Sequence, residues 1–227
     1  MTYYRDDIRE LVRRRLGDLT APYKWSNEQV NQWINDAIAD YSIHFPLLKT
    51  QTISCSEDDR QYDLSTDFVE VISVEYPTGE NPPVYLVRRD YKHPDFWEVE
   101  GYYDVLKHRD FENPDELIIS EEPDEGESID VIYQAHHTFL DDDDTDEMSV
   151  PERHLDLIIL YVRMAAYQEL ATTESCDPNT NSIIAGTLEL NAHRAERFYR
   201  KQLSEFKTAE SESGKAKWTM DEYNRVY

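Results

Sequence analysis

An acidic run with the letters DDDDTDE lies in the second half of the chain and is its densest set of potential metal ligands. Asp142, Asp144 and Asp146 stand at alternate positions, like the first three ligands of an EF-hand calcium loop. The match then fails, because Glu147 occupies the position of the turn glycine and Arg153 that of the bidentate glutamate. We therefore expect no bound metal and interpret the run as a solvated loop or as negative charge that lines a channel.

Three histidines close in sequence, His136, His137 and His154, offer a second type of metal ligand. His136 and His137 are neighbours on a predicted strand, and neighbouring side chains of a strand point to opposite faces of the sheet. They are therefore poorly placed to share a metal ion. We interpret the three as histidines at the end of a sheet and at the start of a helix.

Motifs for covalent or phosphate chemistry do not occur in the sequence. It contains no G-x-S-x-G nucleophile elbow, no P-loop and no G-x-G-x-x-G stretch. Cys55 and Cys176 have no metal-ligand spacing and are predicted to be free thiols, which indicates a reducing compartment. Carboxylates are abundant, but none is singled out as a general acid or base. We predict a protein that is not an enzyme and needs no cofactor.

The charge of the chain limits its partners. Its 227 residues include 48 acidic and 23 basic ones, for a formal net charge of −25. Such a surface repels phosphates and makes a poor general nucleic-acid binder. It favours either solubility, as in a salt-rich cytoplasm, or a pore past which DNA slides without sticking. No apolar run is long enough for a membrane span and no signal-peptide core is visible, so we expect synthesis in the cytoplasm and no membrane partner.

Two helices are predicted near the N-terminus. The first spans residues 3–17, ends at Gly17, and is expected to carry its arginines on faces other than the apolar one. The second begins after Ser26, which forms a predicted capping box with Gln29, and it ends before Pro46. Its apolar stripe has helical spacing and consists of Val30, Trp33, Ile34, Ala37, Ile38 and Tyr41.

The middle of the chain changes to a strand pattern. Runs rich in β-branched and aromatic residues alternate with clusters of Gly, Pro, Asp and Asn. This spacing predicts a small antiparallel sandwich or barrel-like sheet. The candidate strands span residues 49–55, 60–64, 69–76, 84–88, 101–108, 116–120 and 128–136.

Two further helices are predicted after the acidic run. The third, at about residues 151–173, starts at Pro151 and is apolar almost all round, which indicates burial on several sides. The fourth covers about residues 183–207. The fold class is therefore α+β, an antiparallel helical bundle formed by the N- and C-terminal helices with an inserted small antiparallel β domain. The corresponding segments are residues 1–47, 48–140, 141–207 and a C-terminal tail, 208–227.

The tail combines two compositions. Residues 208–217 are rich in Ser, Glu and Lys and have little to bury, so they are interpreted as a solvated linker. Large apolar residues follow, and such residues at the end of a linker are typical of a segment that docks on a partner subunit. The alternatives are a tail that packs on its own domain and a disordered tail. These candidate partner-binding residues are Trp218, Met220, Tyr223, Val226 and Tyr227.

Two blocks of sequence match a known pattern. Residues 24–46, KWSNEQVNQWINDAIADYSIHFP, follow the stretch RRRLGD that ends at Asp18. Residues 150–170, VPERHLDLIILYVRMAAYQEL, follow the β region. Both blocks resemble helices of the head–tail adaptor (connector) proteins of tailed bacteriophages, and weaker patterns extend the resemblance over roughly residues 3–207.

The resemblance implies a structural protein of the virion neck, assembled in the host cytoplasm. Such adaptors form a ring, usually a dodecamer, beneath the portal protein. The ring extends the channel through which double-stranded DNA passes, and it offers a platform to a stopper or tail-terminator protein. The family's C-terminal segment commonly engages the portal, which makes the apolar tail residues the candidates for that contact. The candidate channel-lining residues in the acidic run are Asp141, Asp142, Asp143, Asp144 and Asp146.

Three alternatives stay open. Another neck or tail-completion protein is distinguished by the partner that it captures, portal or tail tube. A nuclease or hydrolase with an acidic site requires metal-dependent activity on DNA that is lost when Asp142 and Asp144 are changed. An acidic soluble binding domain of halophilic type is expected to lose its fold at low salt.

Overall fold

The chain forms two compact units in a computed structural model. One comprises residues 1–44 together with 138–227 and is called the helical unit; the other, residues 45–137, is called the β unit. In the described parts of the chain the helical unit holds four α-helices and the β unit seven strands, so the predicted α+β class is confirmed. None of the described helices is long and apolar enough to cross a membrane. The described residues are 3–57, 59–108, 114–141, 146–176 and 182–213.

Helix α1, Arg5–Leu16, ends as predicted at Gly17, whose φ of 73° is the left-handed conformation that glycine adopts without steric cost. Ile8 and Val12 are buried at the centre of its apolar face. Arg9 and Arg13 lie outside that face and were not expected in the core, but both are buried. The reason is that α1 packs against two other helices, so that its polar flanks are covered as well.

Helix α2, Asn27–His44, buries all six residues of the predicted apolar stripe. The N-cap is confirmed, because the Gln29 N–H donates to Ser26 Oγ at 3.2 Å. The side chain of Gln29 donates instead to Glu169 of helix α3, Leu155–Cys176. In a capping box this side chain would accept the backbone N–H of Ser26. Here it connects two helices.

Helix α3 is the centre of the helical unit and packs against α1, α2 and helix α4, Ser182–Ser213. A short 3-10 turn, Glu152–His154, follows Pro151 and leads into α3. Residues 208–213, predicted as part of a linker, are helical. They contain neither Gly nor Pro, so the helix continues over them. The predicted docking residues at positions 218–227 lie outside the described part of the chain.

The β unit contains the seven predicted strands with slightly different ends, in two hydrogen-bonded sheets. The first sheet has the order β1-β7-β3 and the second the order β2-β6-β5-β4. Side chains from both sheets form one core, with Leu117, Ile129 and Val131 fully buried. The strands are β1 Leu47–Ser54, β2 Gln61–Asp63, β3 Phe68–Glu75, β4 Val87–Arg88, β5 Tyr102–Leu106, β6 Glu116–Ile119 and β7 Ser128–Ala135.

Residues 84–88 form hydrogen bonds with strands of both sheets, which gives the β unit a barrel-like arrangement. The Leu86 N–H donates to the Val74 carbonyl at 2.9 Å, which pairs this segment antiparallel to β3. The segment then continues as β4 alongside β5, and this short pair is parallel, a correction to the expected all-antiparallel domain. The side chain of Gln51 on β1 also links the two sheets, since it donates to the Asp63 carbonyl at the end of β2 (3.1 Å) and accepts the Ser65 N–H (3.0 Å).

Candidate interaction surfaces

Two of the three histidines considered as possible metal ligands, His137 and His154, are buried and have hydrogen-bond partners. His136 is exposed and His137 is buried, and both follow β7, which ends at Ala135, one residue before the end of the predicted strand. Nε2 of His137 lies 3.0 Å from the Phe45 carbonyl oxygen. In the helical unit, Nδ1 of the buried His154 lies 2.6 Å from the Tyr41 hydroxyl. Within the described residues, no group of three or more His, Cys, Asp or Glu side chains is arranged to hold a metal ion.

The acidic run is anchored at both ends to the helical unit. Before it, the Leu140 N–H donates to Asn35 Oδ1 (3.0 Å), and its carbonyl accepts from Arg5 Nη1 (2.7 Å). After it, the Met148 N–H donates to the Tyr3 carbonyl (2.9 Å). These bonds place the two ends of the run beside the start of α1 and the middle of α2. Sequence reasoning missed this role of Asn35; the available signal was an amide directly after Trp33 and Ile34 of the apolar stripe.

Within the run itself, the exposed Asp141 donates its N–H to Asp146 Oδ2 at 2.8 Å. The predicted channel-lining residues Asp142, Asp143 and Asp144 lie outside the described residues.

The RRRLGD stretch forms a buried ionic network at the junction of α1 and α2. Arg13 Nη1 lies 2.6 Å from Asp18 Oδ2, and both side chains are buried. Arg13 also donates to Asn27 Oδ1 (2.7 Å), while Asp18 accepts the Lys24 N–H (2.8 Å). The network fixes the loop that precedes α2, so these motif residues have a structural role.

An open groove lies between α3 and α4 in the helical unit, and we call it the arginine groove. It encloses about 440 Å³ and is lined by Leu160, Tyr167 and Phe198 together with Arg163 and Arg194. Phe198 is 49% exposed, and the Arg163 guanidinium stacks 5.4 Å from the Tyr167 ring centre. An adjoining depression of about 220 Å³ shares Phe198 and Arg163 and adds a third arginine, Arg15. Arginine and aromatic residues are the types most enriched at protein interfaces.

The β unit carries a surface of the opposite charge, which we call the acidic patch. It consists of residues 97–100, Trp-Glu-Val-Glu, with Glu121, Glu122 and Arg60 beside them. Trp97 is 44% exposed and Val99 47% exposed. Arg60 pairs with Glu122 at 2.5 Å and lies 5.4 Å from the Trp97 ring centre. Four glutamates against one arginine leave the patch strongly negative.

A hydrogen bond to the Glu121 side chain fixes the backbone at the end of the acidic patch. Glu121 Oε1 accepts the Gly101 N–H at 2.6 Å, which fixes the end of the exposed 97–100 segment. Burial raises the pKa of Glu121, and the negative charge of Glu100 raises it further, in opposition to that hydrogen bond. The exposed side chains of the segment therefore stand on a fixed backbone.

Neither surface was predicted from the sequence. The arginine groove had one visible signal, the charged Arg163 between the apolar Val162 and Met164. The acidic patch had another, the alternation of apolar and acidic residues at positions 97–100 outside any predicted strand.

Comparison with known proteins identifies one family. The family model described as SU10 adaptor protein matches residues 1–218. This range covers the β unit and the helical unit as far as Trp218, the first apolar residue of the predicted docking tail. No curated protein matches the chain.

Proposed function

Since the chain belongs to the SU10 adaptor protein family, a family of phage head–tail adaptors, we propose that it is a ring subunit of the virion neck, directly beneath the portal protein. The ring, a dodecamer, extends the DNA channel and forms the platform to which a stopper or tail-terminator protein attaches. The observation that carries the proposal is the family match over both units. The arginine groove and the acidic patch support it, because both have the composition of protein-binding surfaces.

We assign the portal contact to the C-terminal segment. Helix α4 ends at Ser213, and the sequence beyond it places five large apolar residues within a polar context. Aromatic side chains bury a large area at a low cost in conformational entropy, so they are effective anchors for a terminal segment. The proposed anchors are Trp218, Met220, Tyr223, Val226 and Tyr227.

We assign the channel lining to the acidic loop between Asp141 and Asp146. The hydrogen bonds of Leu140 and Met148 hold its ends on the helical unit, so that the carboxylates are presented from a fixed base. A ring of carboxylates repels DNA phosphates and keeps the genome from binding to the channel wall.

Co-purification with the portal protein of the same virus tests the portal assignment. The full chain is compared with a chain that ends at residue 213, and we expect the truncated chain to lose portal binding while its circular dichroism spectrum keeps the signals of the folded units. A double variant with Trp218→Ala and Tyr223→Ala is expected to weaken binding, whereas the matched control with Thr219→Ala and Asn224→Ala binds like the wild type.

The same assay separates the proposal from its nearest alternative. Portal binding that is unchanged by truncation contradicts the tail assignment. Capture of the tail-tube protein in place of the portal contradicts the adaptor position and favours a tail-completion role.

A further inference from the structure

The arginine groove holds positive charge that is not used within the subunit. Acidic residues outnumber basic ones by 48 to 23 in this chain. Even so, in the described parts of the chain Arg163 and Arg194 have no ion-pair partner, and Arg15 has only a distant one, Asp156 at 3.9 Å. Arginines that stay unpaired on so acidic a protein are available to carboxylates from outside the subunit.

The apolar lining of the groove indicates a protein ligand. Phe198 is half exposed between two depressions, with Leu160 beside it in both. Phosphates alone would account for the arginines but not for an exposed phenylalanine ring at the centre. A ligand that combines carboxylates with large apolar side chains accounts for both features.

The acidic patch has that combination. Glu98 and Glu100 are exposed and, within the described residues, take part in no ion pair. Trp97 and Val99 alternate with them and are nearly half exposed. The patch therefore offers two carboxylates and two apolar side chains on a short segment. Every copy of the chain carries both this patch and the groove, so a second copy can supply the ligand.

We propose that the arginine groove of one copy receives the acidic patch of a second copy. The two groove arginines pair with the two glutamates of the segment at residues 97–100, and Trp97 packs against Phe198. Because two different surfaces meet, the contact is heterologous, and its repetition produces a closed ring or an open filament. The inference rests on the proposed ring, for which it identifies the contact between neighbouring subunits.

Charge reversal at one residue of each surface tests the contact. Arg194→Glu and Glu98→Arg each place like charges opposite one another, so we expect each variant alone to associate at least about tenfold more weakly than the wild type. In an equimolar mixture the groove with Arg194→Glu can pair with the patch with Glu98→Arg. The unchanged groove of the second variant can pair with the unchanged patch of the first. The mixture is therefore expected to assemble, with the two variants alternating in equal numbers.

The readouts are sedimentation velocity and native mass spectrometry, each with and without the portal protein. Arg197→Glu is the matched control for the groove, since Arg197 is exposed on the same helix but does not line the groove. Glu125→Arg is the control for the patch, because Glu125 is an exposed glutamate of the β unit outside the patch. Both controls are expected to associate like the wild type.

The outcomes separate the inference from the proposed function. Variants that assemble like the wild type on the portal, or a mixture that stays dissociated, overturn the inference and leave the ring intact. A wild type that does not bind the portal, combined with recovery of association in the mixture, overturns the adaptor role and supports the inference. A wild type that stays monomeric under all conditions contradicts both. DNA binding is measured by fluorescence anisotropy. If the Arg194→Glu variant associates like the wild type but no longer binds DNA, the groove is a phosphate site and the inference is overturned.

Discussion

Replacement of Asp18 with alanine removes the buried carboxylate that pairs with the buried Arg13. Asp18 Oδ2 lies 2.6 Å from Arg13 Nη1, and the two side chains are 8% and 7% exposed. Arg13 keeps two other acceptors after the change, Asn27 Oδ1 at 2.7 Å and the Trp25 carbonyl at 3.1 Å. The Lys24 N–H, which donates to the aspartate, loses its acceptor. The substitution thus leaves a buried guanidinium with neutral acceptors only.

The magnitude follows from burial. Loss of one partner of a buried ion pair costs about 3–5 kcal/mol, because the other charge stays in a poorly solvated place. The remaining acceptors of Arg13 and its stacking on the Tyr23 ring, 3.9 Å away, reduce the penalty, so we expect about 3 kcal/mol. The control is Asp156→Ala, which removes a carboxylate 3.9 Å from Arg15, where both side chains are more than half exposed. That change is expected to cost less than about 1 kcal/mol.

Urea unfolding followed by tryptophan fluorescence measures the effect, since the buried Trp25 and Trp33 report on the helical unit. Arg13→Met in the Asp18→Ala background removes the uncompensated charge, so this double variant is expected to regain part of the lost stability. The reasoning is refuted if Asp18→Ala costs no more than Asp156→Ala, or if the two substitutions of the pair are simply additive.

Two further predictions concern the β unit. Burial raises the pKa of Asp67, but hydrogen bonds led by that from Lys49, at 2.5 Å, outweigh burial and hold the pKa below its usual range. The ionised carboxylate therefore stabilises the fold above about pH 4, and this contribution is lost as the pH falls through the lowered pKa. The advantage of the wild type over Asp67→Asn in urea titrations is expected to be largest near neutral pH and to shrink below about pH 4; an advantage independent of pH contradicts this. Leu117→Ala truncates a fully buried side chain and is expected to cost about 2–5 kcal/mol, whereas Leu48→Ala, at a position 64% exposed, changes stability by less than about 0.5 kcal/mol. Equal losses contradict the assignment of the core.

Elements with an unbroken hydrophobic period were predictable from sequence. In α2 the apolar stripe repeats with helical spacing between Ser26 and Pro46, and every stripe residue is buried. In β7 burial alternates along the whole strand, and Ile129 and Val131 face the core of the β unit. Local pattern suffices here because one face of each element is buried along its whole length.

Elements shaped by non-local pairing were predicted less well. The alternation in β3 is ambiguous in sequence because the register against β7 shifts twice, between Phe68 and Glu70 and between Val71 and Ser73. Residues 84–88 were expected as one strand, but they change partner from β3 to β5 midway. Such changes of partner depend on the positions of strands that are distant in sequence, and a short stretch of sequence does not contain that information.

The interaction surfaces show a second limit of sequence reasoning. Arg13 and Arg163 both stand in helices beside apolar neighbours, yet Arg13 is buried with Asp18 while Arg163 lines an open groove. Which arginine is paired depends on a carboxylate brought close by the fold. The sequence resemblance identified the family correctly, whereas the arginine groove required the packing of α3 against α4.

Electron cryomicroscopy of the wild-type chain mixed with the portal protein of its virus tests the adaptor role most directly. We predict a closed ring of copies attached to the portal, with the channel continuing through its centre and the segment 214–227 in contact with the portal. Portal particles that stay bare at saturating concentrations of the chain, or density for the chain only at the tail tube, would contradict the adaptor role.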